Sequence, residues 1–284
     1  MTVAEPAPAK LNLYLHVIGR RPDGYHLLDS LVAFADIGDE IRAAPASALA
    51  LVLAGPFAQA LPQNPEDNLV WRAALLLARR LGRSPNAALT LIKNLPVASG
   101  IGGGSSDAAA ALKALLALWG GTLDRSTLAA LAARLGADVP VCLEARAAWL
   151  GGIGDAVEPA PPLPATCVVL ANPGIALPTP AVYQSRRGDF SARARFAMPA
   201  DAAHLAGLLA ERRNDLTEAA IALVPEIATA LARLAAEDGA LLARMSGSGA
   251  TCFALFAAPE AAAAAAARLR RDEPRWWIAA GQLK

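Results

Sequence analysis

The stretch Leu95-Pro96-Val97-Ala98-Ser99-Gly100-Ile101-Gly102-Gly103-Gly104-Ser105-Ser106-Asp107-Ala108 decides how this chain is read. Four glycines occupy the five positions from Gly100 to Gly104. They are costly to order, because glycine loses more backbone freedom on folding than any other residue. In return they allow close approach of the backbone to a ligand and access to positive φ angles. An alanine-rich run follows at once and predicts a helix from about Ser106 to Trp119, closed by Gly120-Gly121. The free N–H groups and positive dipole end of that helix face whatever lies over the loop. Ser105 and Ser106 add hydroxyls, one of them a candidate contact to a magnesium ion. The combination implies a nest for the β- and γ-phosphates of a nucleotide. The competing reading is a glycine-rich turn capped by serine. The segment is not a GxxxxGK[ST] loop, and serine stands where G-x-G-x-x-G needs its last glycine.

Upstream, Leu11 to Ile18 alternates apolar and polar residues as a strand does, and Gly19 to Gly24 ends it as a polar turn. Further strands are expected at Ser30 to Phe34, Asp39 to Ala43, Leu49 to Leu53 and Ala88 to Lys93. A helix capped by Asp67 or Asn68 runs to Leu81 and stops at Gly82. Downstream, Asp124 to Leu135 reads as a helix, and two short strands flank a glycine turn near Ile153. Pro159-Ala160-Pro161-Pro162-Leu163-Pro164 is the clearest change of texture. It is taken as a hinge between domains spanning 1–158 and 159–284. Beyond it come a strand at Cys167 to Ala171 and a variable stretch, Ser185 to Pro199. Helices follow near Asp201 to Arg212 and Pro225 to Glu237, then a strand at Ala250 to Phe256 and a helix from Pro259. Strands mixed with helices, without strict alternation, imply an α+β fold.

With 284 residues, 55% of them hydrophobic, the chain can bury a sizeable core. A net charge of +1 gives no reason to expect nucleic acid or a membrane surface as partner. No apolar run approaches the roughly 18 residues that a bilayer span requires, and Met1 to Lys10 lacks the pattern of a signal peptide. Cys142, Cys167 and Cys252 are odd in number and widely spaced, which argues against a disulfide framework or a structural metal site. The cytoplasm is the expected compartment.

A second glycine motif, Met245-Ser246-Gly247-Ser248-Gly249-Ala250-Thr251, precedes a strand. Alone it reads equally as a tight turn; paired with the first loop it suggests a cleft around a phosphorylated ligand. Lys10, by position, is a charge ahead of a strand, and Asp138 a turn residue between a helix and a strand. Phosphoryl transfer to an alcohol nevertheless needs a carboxylate at the attacking hydroxyl, and an ammonium nearby would keep it ionised.

Pro8-Ala9-Lys10-Leu11-Asn12-Leu13 with Arg21-Pro22-Asp23-Gly24-Tyr25-His26, the loop from Pro96 to Ala109, and Ser246-Gly247-Ser248-Gly249-Ala250 together resemble the three motifs of the GHMP kinases. Leu135-Gly136-Ala137-Asp138-Val139-Pro140 adds to the likeness, which covers essentially the whole chain. The resemblance implies a two-domain α+β fold, with an ATP-loop domain and a ferredoxin-like C-terminal domain. It also implies ATP as co-substrate with Mg2+, and a small-molecule acceptor joining a cytidine diphosphate group to a methylerythritol moiety. By carry-over Asp138 is the general base and Lys10 its charged partner, and Asn12 binds the acceptor. His26 reads the cytosine edge, with Tyr25 and Tyr183 on its two faces. The ATP loop is Pro96, Val97, Ala98, Ser99, Gly100, Ile101, Gly102, Gly103, Gly104, Ser105 and Ser106. Asn68 lies near the adenine, and capping a helix is an equally good use of it. Asp107 suits the helix dipole but adds negative charge near phosphates. A kinase of homoserine, mevalonate or a sugar would lack Tyr25, His26 and Tyr183. A nucleotide-binding module without catalysis would keep the loop and have no need of Lys10 or Asp138.

Overall fold

The computed structural model describes residues 2–284. Its strands are β1 (Val3–Arg20), β2 (His26–Ala44), β3 (Ala50–Ala54), β4 (Ala88–Ile92), β5 (Ala148–Gly151), β6 (Ala156–Pro159), β7 (Cys167–Asn172), β8 (Ala240–Met245), β9 (Cys252–Phe256) and β10 (Trp277–Gln282). Its helices are α1 (Leu69–Arg80), α2 (Gly103–Trp119), α3 (Arg125–Ala133), α4 (Val139–Glu144), α5 (Thr179–Ser185), α6 (Ala202–Ala210), α7 (Thr217–Leu223), α8 (Glu226–Ala235) and α9 (Pro259–Asp272). No helix among the described residues is long and apolar enough to cross a membrane.

The chain divides into two compact units that interleave in sequence. The first takes the chain up to Ala9, Gly38–Val97 and Gly102–Ala145; the second takes Lys10–Ile37, Ala98–Ile101 and Arg146–Lys284. The proline-rich run 159–164 lies within the second unit, as the connection from β6 to β7.

In the first unit β4 pairs in parallel with β3 and antiparallel with the C-terminal part of β2, with Glu40 opposite Ile92. The helix α1 buries Val70, Ala73, Ala74, Leu77 and Ala78, a stripe at helical spacing, and ends on two arginines that suit its dipole. It packs on α2, as does α4. Alanine dominates the buried face of α2, with Ala108, Ala109, Ala110, Ala111 and Ala114 in place of larger residues, so neighbouring helices approach it closely.

In the second unit the N-terminal part of β2 pairs with β5, and β5 with β6, as antiparallel neighbours. A separate antiparallel sheet runs in the order β10-β7-β9-β8. With α8 and α9 crossing it, β7-α8-β8-β9-α9-β10 is the ferredoxin-like arrangement expected, and α5 to α7 are inserted after β7. Val169, Ala171, Ala254 and Phe256 on one sheet face, with Ile227, Leu234, Ala265 and Leu269 from the helices, form its core. Residues 187–200 have no regular structure yet are pinned to the unit. The Ser191 N–H donates to the Val17 carbonyl, the Ala194 N–H donates to Asp29, and the Phe196 ring meets Trp149 edge-on at 5.2 Å.

Two expectations are corrected. The strands placed at Ser30 to Phe34 and Asp39 to Ala43 are one continuous strand, β2, because Ala35 and Asp36 between them stay extended and are bonded by the C-terminal residues Leu283 and Gln282. Asp138 is followed by the helix α4, not by a strand: Pro140 falls in the first turn, where its missing N–H is not needed.

Candidate functional site

In the first unit, Gly102 caps α2 with φ of +63°, a conformation glycine adopts freely. The start of the helix, from Gly103 to Ser105, therefore offers N–H groups suited to an anion, while the Ser106 N–H donates to the Gly102 carbonyl at 2.9 Å. Ser106 is buried, and its hydroxyl donates to the Pro8 carbonyl at 2.7 Å, so it anchors the helix start to β1. Ser105 is partly exposed. Among the described residues no three His, Cys, Asp or Glu side chains gather as a metal cage. A magnesium ion here would be held chiefly by nucleotide phosphates and water, the usual arrangement for that ion, with a serine hydroxyl to add.

Beneath the loop lies a group that the sequence did not reveal. The Lys93 Nζ donates to Asp39 Oδ2 at 2.5 Å and to Asp107 Oδ2 at 2.7 Å, and all three side chains are at most 3% exposed. The other Asp39 oxygen accepts the N–H groups of Asn94 and Leu95, at 2.5 and 2.8 Å. One buried ammonium thus ties the residues entering the phosphate loop to the second turn of α2. Gly103 makes room for it, since a Cβ there would lie 2.9 Å from the Lys93 Nζ. Asp107, whose direction the sequence left open, points inward to this cluster.

Burial drives the Asp107 carboxyl up to about 7; the Lys93 charge opposes this and the Asp39 charge adds to it. Burial pulls the Lys93 ammonium down, but the Asp107 and Asp39 charges outweigh that and leave it raised. A carboxyl raised on folding contributes stability that is complete below about pH 4 and is lost as pH rises through about 7. The lysine, raised above its ordinary value, changes nothing in that window. Asp107→Asn is therefore expected to gain on the wild type in urea unfolding midpoint between pH 5 and pH 8. Parallel pH profiles for the two proteins would show that Asp107 does not titrate there.

Two more expected site residues belong to this unit. Asn68 is the N-cap of α1, its side chain accepting the Val70 N–H at 2.9 Å. Asp138 occupies the N-cap position of α4, whose buried Val139, Val141 and Cys142 fix its backbone, and its carboxylate makes no capping bond.

The second unit holds Lys10, Asn12, the loop residues Ala98 to Ile101 and the second glycine motif, and it brings these together. The Lys10 N–H donates to the Ile101 carbonyl at 2.9 Å. The Asn12 N–H donates to the Ser246 Oγ at 3.1 Å, and that hydroxyl donates to the Gly100 carbonyl at 2.9 Å. The Thr251 N–H donates to the Ser99 carbonyl at 3.1 Å. Both Lys10 and Asn12 are buried, and the Asn12 amide donates to the Ser30 hydroxyl at 2.8 Å. Gly100, at φ +76°, lies so close to the second motif that a Cβ would be 2.4 Å from the Ser246 carbonyl oxygen and 2.7 Å from Gly249 backbone atoms. Gly100→Ala is expected to cost about 2–3 kcal/mol in denaturant unfolding, from left-handed strain plus overpacking against backbone. A loss below about 1 kcal/mol would show that the junction yields.

Tyr25, His26 and Tyr183 meet on one cavity of about 670 Å³, also within the second unit. The Tyr183 ring stacks on His26 at 5.1 Å and 25° between planes, whereas Tyr25 is 61% exposed at the rim. Tyr183 comes from α5, which Pro180 opens at its second residue. The His26 imidazole is held below its ordinary value by burial and by the charges of Arg20 and Arg186, so its neutral form prevails at pH 7. A neutral imidazole has one donor and one acceptor for a base edge.

The family model of the GHMP kinases N terminal domain matches residues 68–146, and that of the GHMP kinases C terminal domain matches residues 197–274. A 4-diphosphocytidyl-2-C-methyl-D-erythritol kinase from Paramagnetospirillum magneticum is 53% identical, over 98% of this chain and 97% of its own length. One from Cereibacter sphaeroides is 56% identical, over 96% of each. Among solved structures, a 4-(cytidine 5'-diphospho)-2C-methyl-D-erythritol kinase aligns with a TM-score of 0.81 at 38% identity, over 99% of this chain and 98% of that one. Homoserine kinase from Cytophaga hutchinsonii, with a TM-score of 0.75 at 18% identity over 100% of this chain and 94% of that one, shares the fold.

Proposed function

The chain belongs to the 4-diphosphocytidyl-2-C-methyl-D-erythritol kinase family of the GHMP kinases, and from that membership we propose that it transfers the γ-phosphoryl group of ATP to the 2-hydroxyl of 4-diphosphocytidyl-2-C-methyl-D-erythritol. The step serves non-mevalonate isoprenoid precursor synthesis, and the cytoplasm is its proposed compartment. The acceptor oxygen forms a bond to the γ-phosphorus as the bond to the ADP oxygen breaks, and the hydroxyl proton passes to Asp138. Lys10 is assigned to act with it by offsetting the charge that develops on the attacking oxygen. Residues Pro96 to Ser106 hold the phosphates, Asn68 faces the adenine, and Asn12 orients the acceptor. A magnesium ion, held by the nucleotide phosphates and water with a loop serine hydroxyl to add, would supply positive charge against the transferred phosphoryl group. The functional division of the chain is proposed at 158/159, between the stretches that the two family models match.

The observation that carries the acceptor assignment is the cavity on which Tyr25, His26 and Tyr183 converge. Two phenol rings suit a flat base, and the neutral imidazole suits its polar edge. ADP release with ATP, magnesium and the cytidyl acceptor, compared with homoserine and mevalonate, tests the proposal. Release with the cytidyl substrate alone is expected. Release with another acceptor would keep the kinase and discard the substrate, and silence with every acceptor from folded, ATP-binding protein would remove the chemistry.

A further inference from the structure

The cavity that carries Tyr25, His26 and Tyr183 is also lined by Arg20, Arg186, Arg187 and a single acidic residue, Asp23. Asp23 is already matched, because its carboxylate pairs with Arg21, outside the lining, at 2.7 Å. Among the described residues none of the three lining arginines makes an ion pair with a carboxylate. Backbone carbonyls aim them instead. The Arg20 Nε donates to Gly24 at 3.1 Å, and the Arg187 Nη1 donates to Gln184 and Arg186 at 2.9 Å. The Arg186 guanidinium donates to the carbonyls of Gly188 and Asp189, lies 5.4 Å from the Phe190 ring centroid, and keeps a buried Nε with no hydrogen-bond partner.

Three uncompensated guanidinium groups on a concave surface concentrate anions. Their planar forks fit phosphate oxygens in pairs, and each is oriented with donors to spare. The same cavity presents the stacked Tyr183 and His26 rings to a planar group. A ligand that satisfies both features joins a nucleobase to phosphates. Resting on the acceptor assignment above, we propose that Arg20, Arg186 and Arg187 are the residues that hold the diphosphate of the acceptor. They thereby supply the selectivity for a nucleoside diphosphate over a bare nucleoside. The downward pull of Arg20 and Arg186 on the His26 imidazole is consistent with charge from this wall reaching the base-binding end.

The test is calorimetric binding of cytidine, CMP and CDP to the full chain and to three variants: Arg20→Gln, Arg187→Gln and Arg186→Gln/Arg187→Gln. Wild type is expected to prefer CDP to cytidine by tenfold or more, with a preference that falls as salt rises. Each variant is expected to lose most of that preference while keeping its affinity for cytidine, and retained cytidine binding shows that the cavity is still folded. If Arg186→Gln loosens the Gly188–Asp189 turn, the exposed Arg187 and Arg20 variants carry the test alone. A CDP preference that persists unchanged in the variants overturns the arginine assignment and spares the acceptor reading. Wild type that binds neither cytidine nor CDP overturns both.

Discussion

Asp138→Asn is expected to lower kcat by about 10²–10⁴-fold, the range that a positioned general base contributes, while ATP affinity and melting temperature stay near wild type. The asymmetry follows from where Asp138 sits. Its backbone is fixed by α4, whose Val139, Val141 and Cys142 are buried and whose first turn carries Pro140, and none of this depends on the carboxylate. Asparagine has the shape of aspartate, so the exchange removes the proton acceptor and leaves in place the backbone that α4 fixes. The measurement is single-turnover phosphoryl transfer beside nucleotide binding and thermal melting. Turnover within tenfold of wild type would take Asp138 out of the mechanism. Loss of nucleotide binding in parallel would mark a structural defect instead.

Most of the fold was legible where one element's own residues dictate it. Asn68 and Gly82 bracket α1, Gly120 closes α2, and the alternation from Leu11 to Ile18 lies in β1. The elements that escaped have their signals elsewhere. Ala240–Met245 and Trp277–Gln282 carry no strict alternation and are strands because β9 and β7 pair with them. The short helices α4 and α5 each begin with a proline in the first turn, after Asp138 and Pro178, and a proline there reads locally as a turn. Units that interleave through two long strands leave no local mark, because β1 and β2 each change unit in mid-strand without a turn or a change of composition.

The site divides in the same way. The glycine loop and the second glycine motif were visible because glycine density is itself informative, and Gly100 and Gly247 meet backbone to backbone as close approach requires. The arginine wall was hidden, since Arg20 and Arg186 lie far apart in sequence and charge at such positions is ordinary. Asp39 and Lys93 were hidden for a deeper reason. They become neighbours only because β2 and β4 pair with Glu40 opposite Ile92, which sets Asp39 across from Lys93. No spacing along the chain encodes that register.

Lys93→Met is expected to destabilise the protein by about 3–5 kcal/mol, because it strands buried carboxylates that the ammonium had compensated. Asp39 would keep the Asn94 and Leu95 N–H groups, whereas Asp107, whose other oxygen has no hydrogen-bond partner among the described residues, would lose the bond from the ammonium. Asp107 then escapes the penalty by taking up a proton, so the loss should be larger at pH 8 than at pH 5. The half-exposed pair of Lys113 with Glu5, at 3.1 Å, gives the contrast: Lys113→Met should stay within about 1 kcal/mol. Urea unfolding of both variants at the two pH values measures all four quantities. Equal losses for Lys93 and Lys113 would show that burial of the cluster carries no energetic weight. A large but pH-independent loss at Lys93 would place the cost in lost packing of its stem, not in the carboxylates. The expected pattern, together with a raised KM for ATP in Lys93→Met at temperatures where it stays folded, would identify the cluster as what holds the entrance of the phosphate loop to the start of α2.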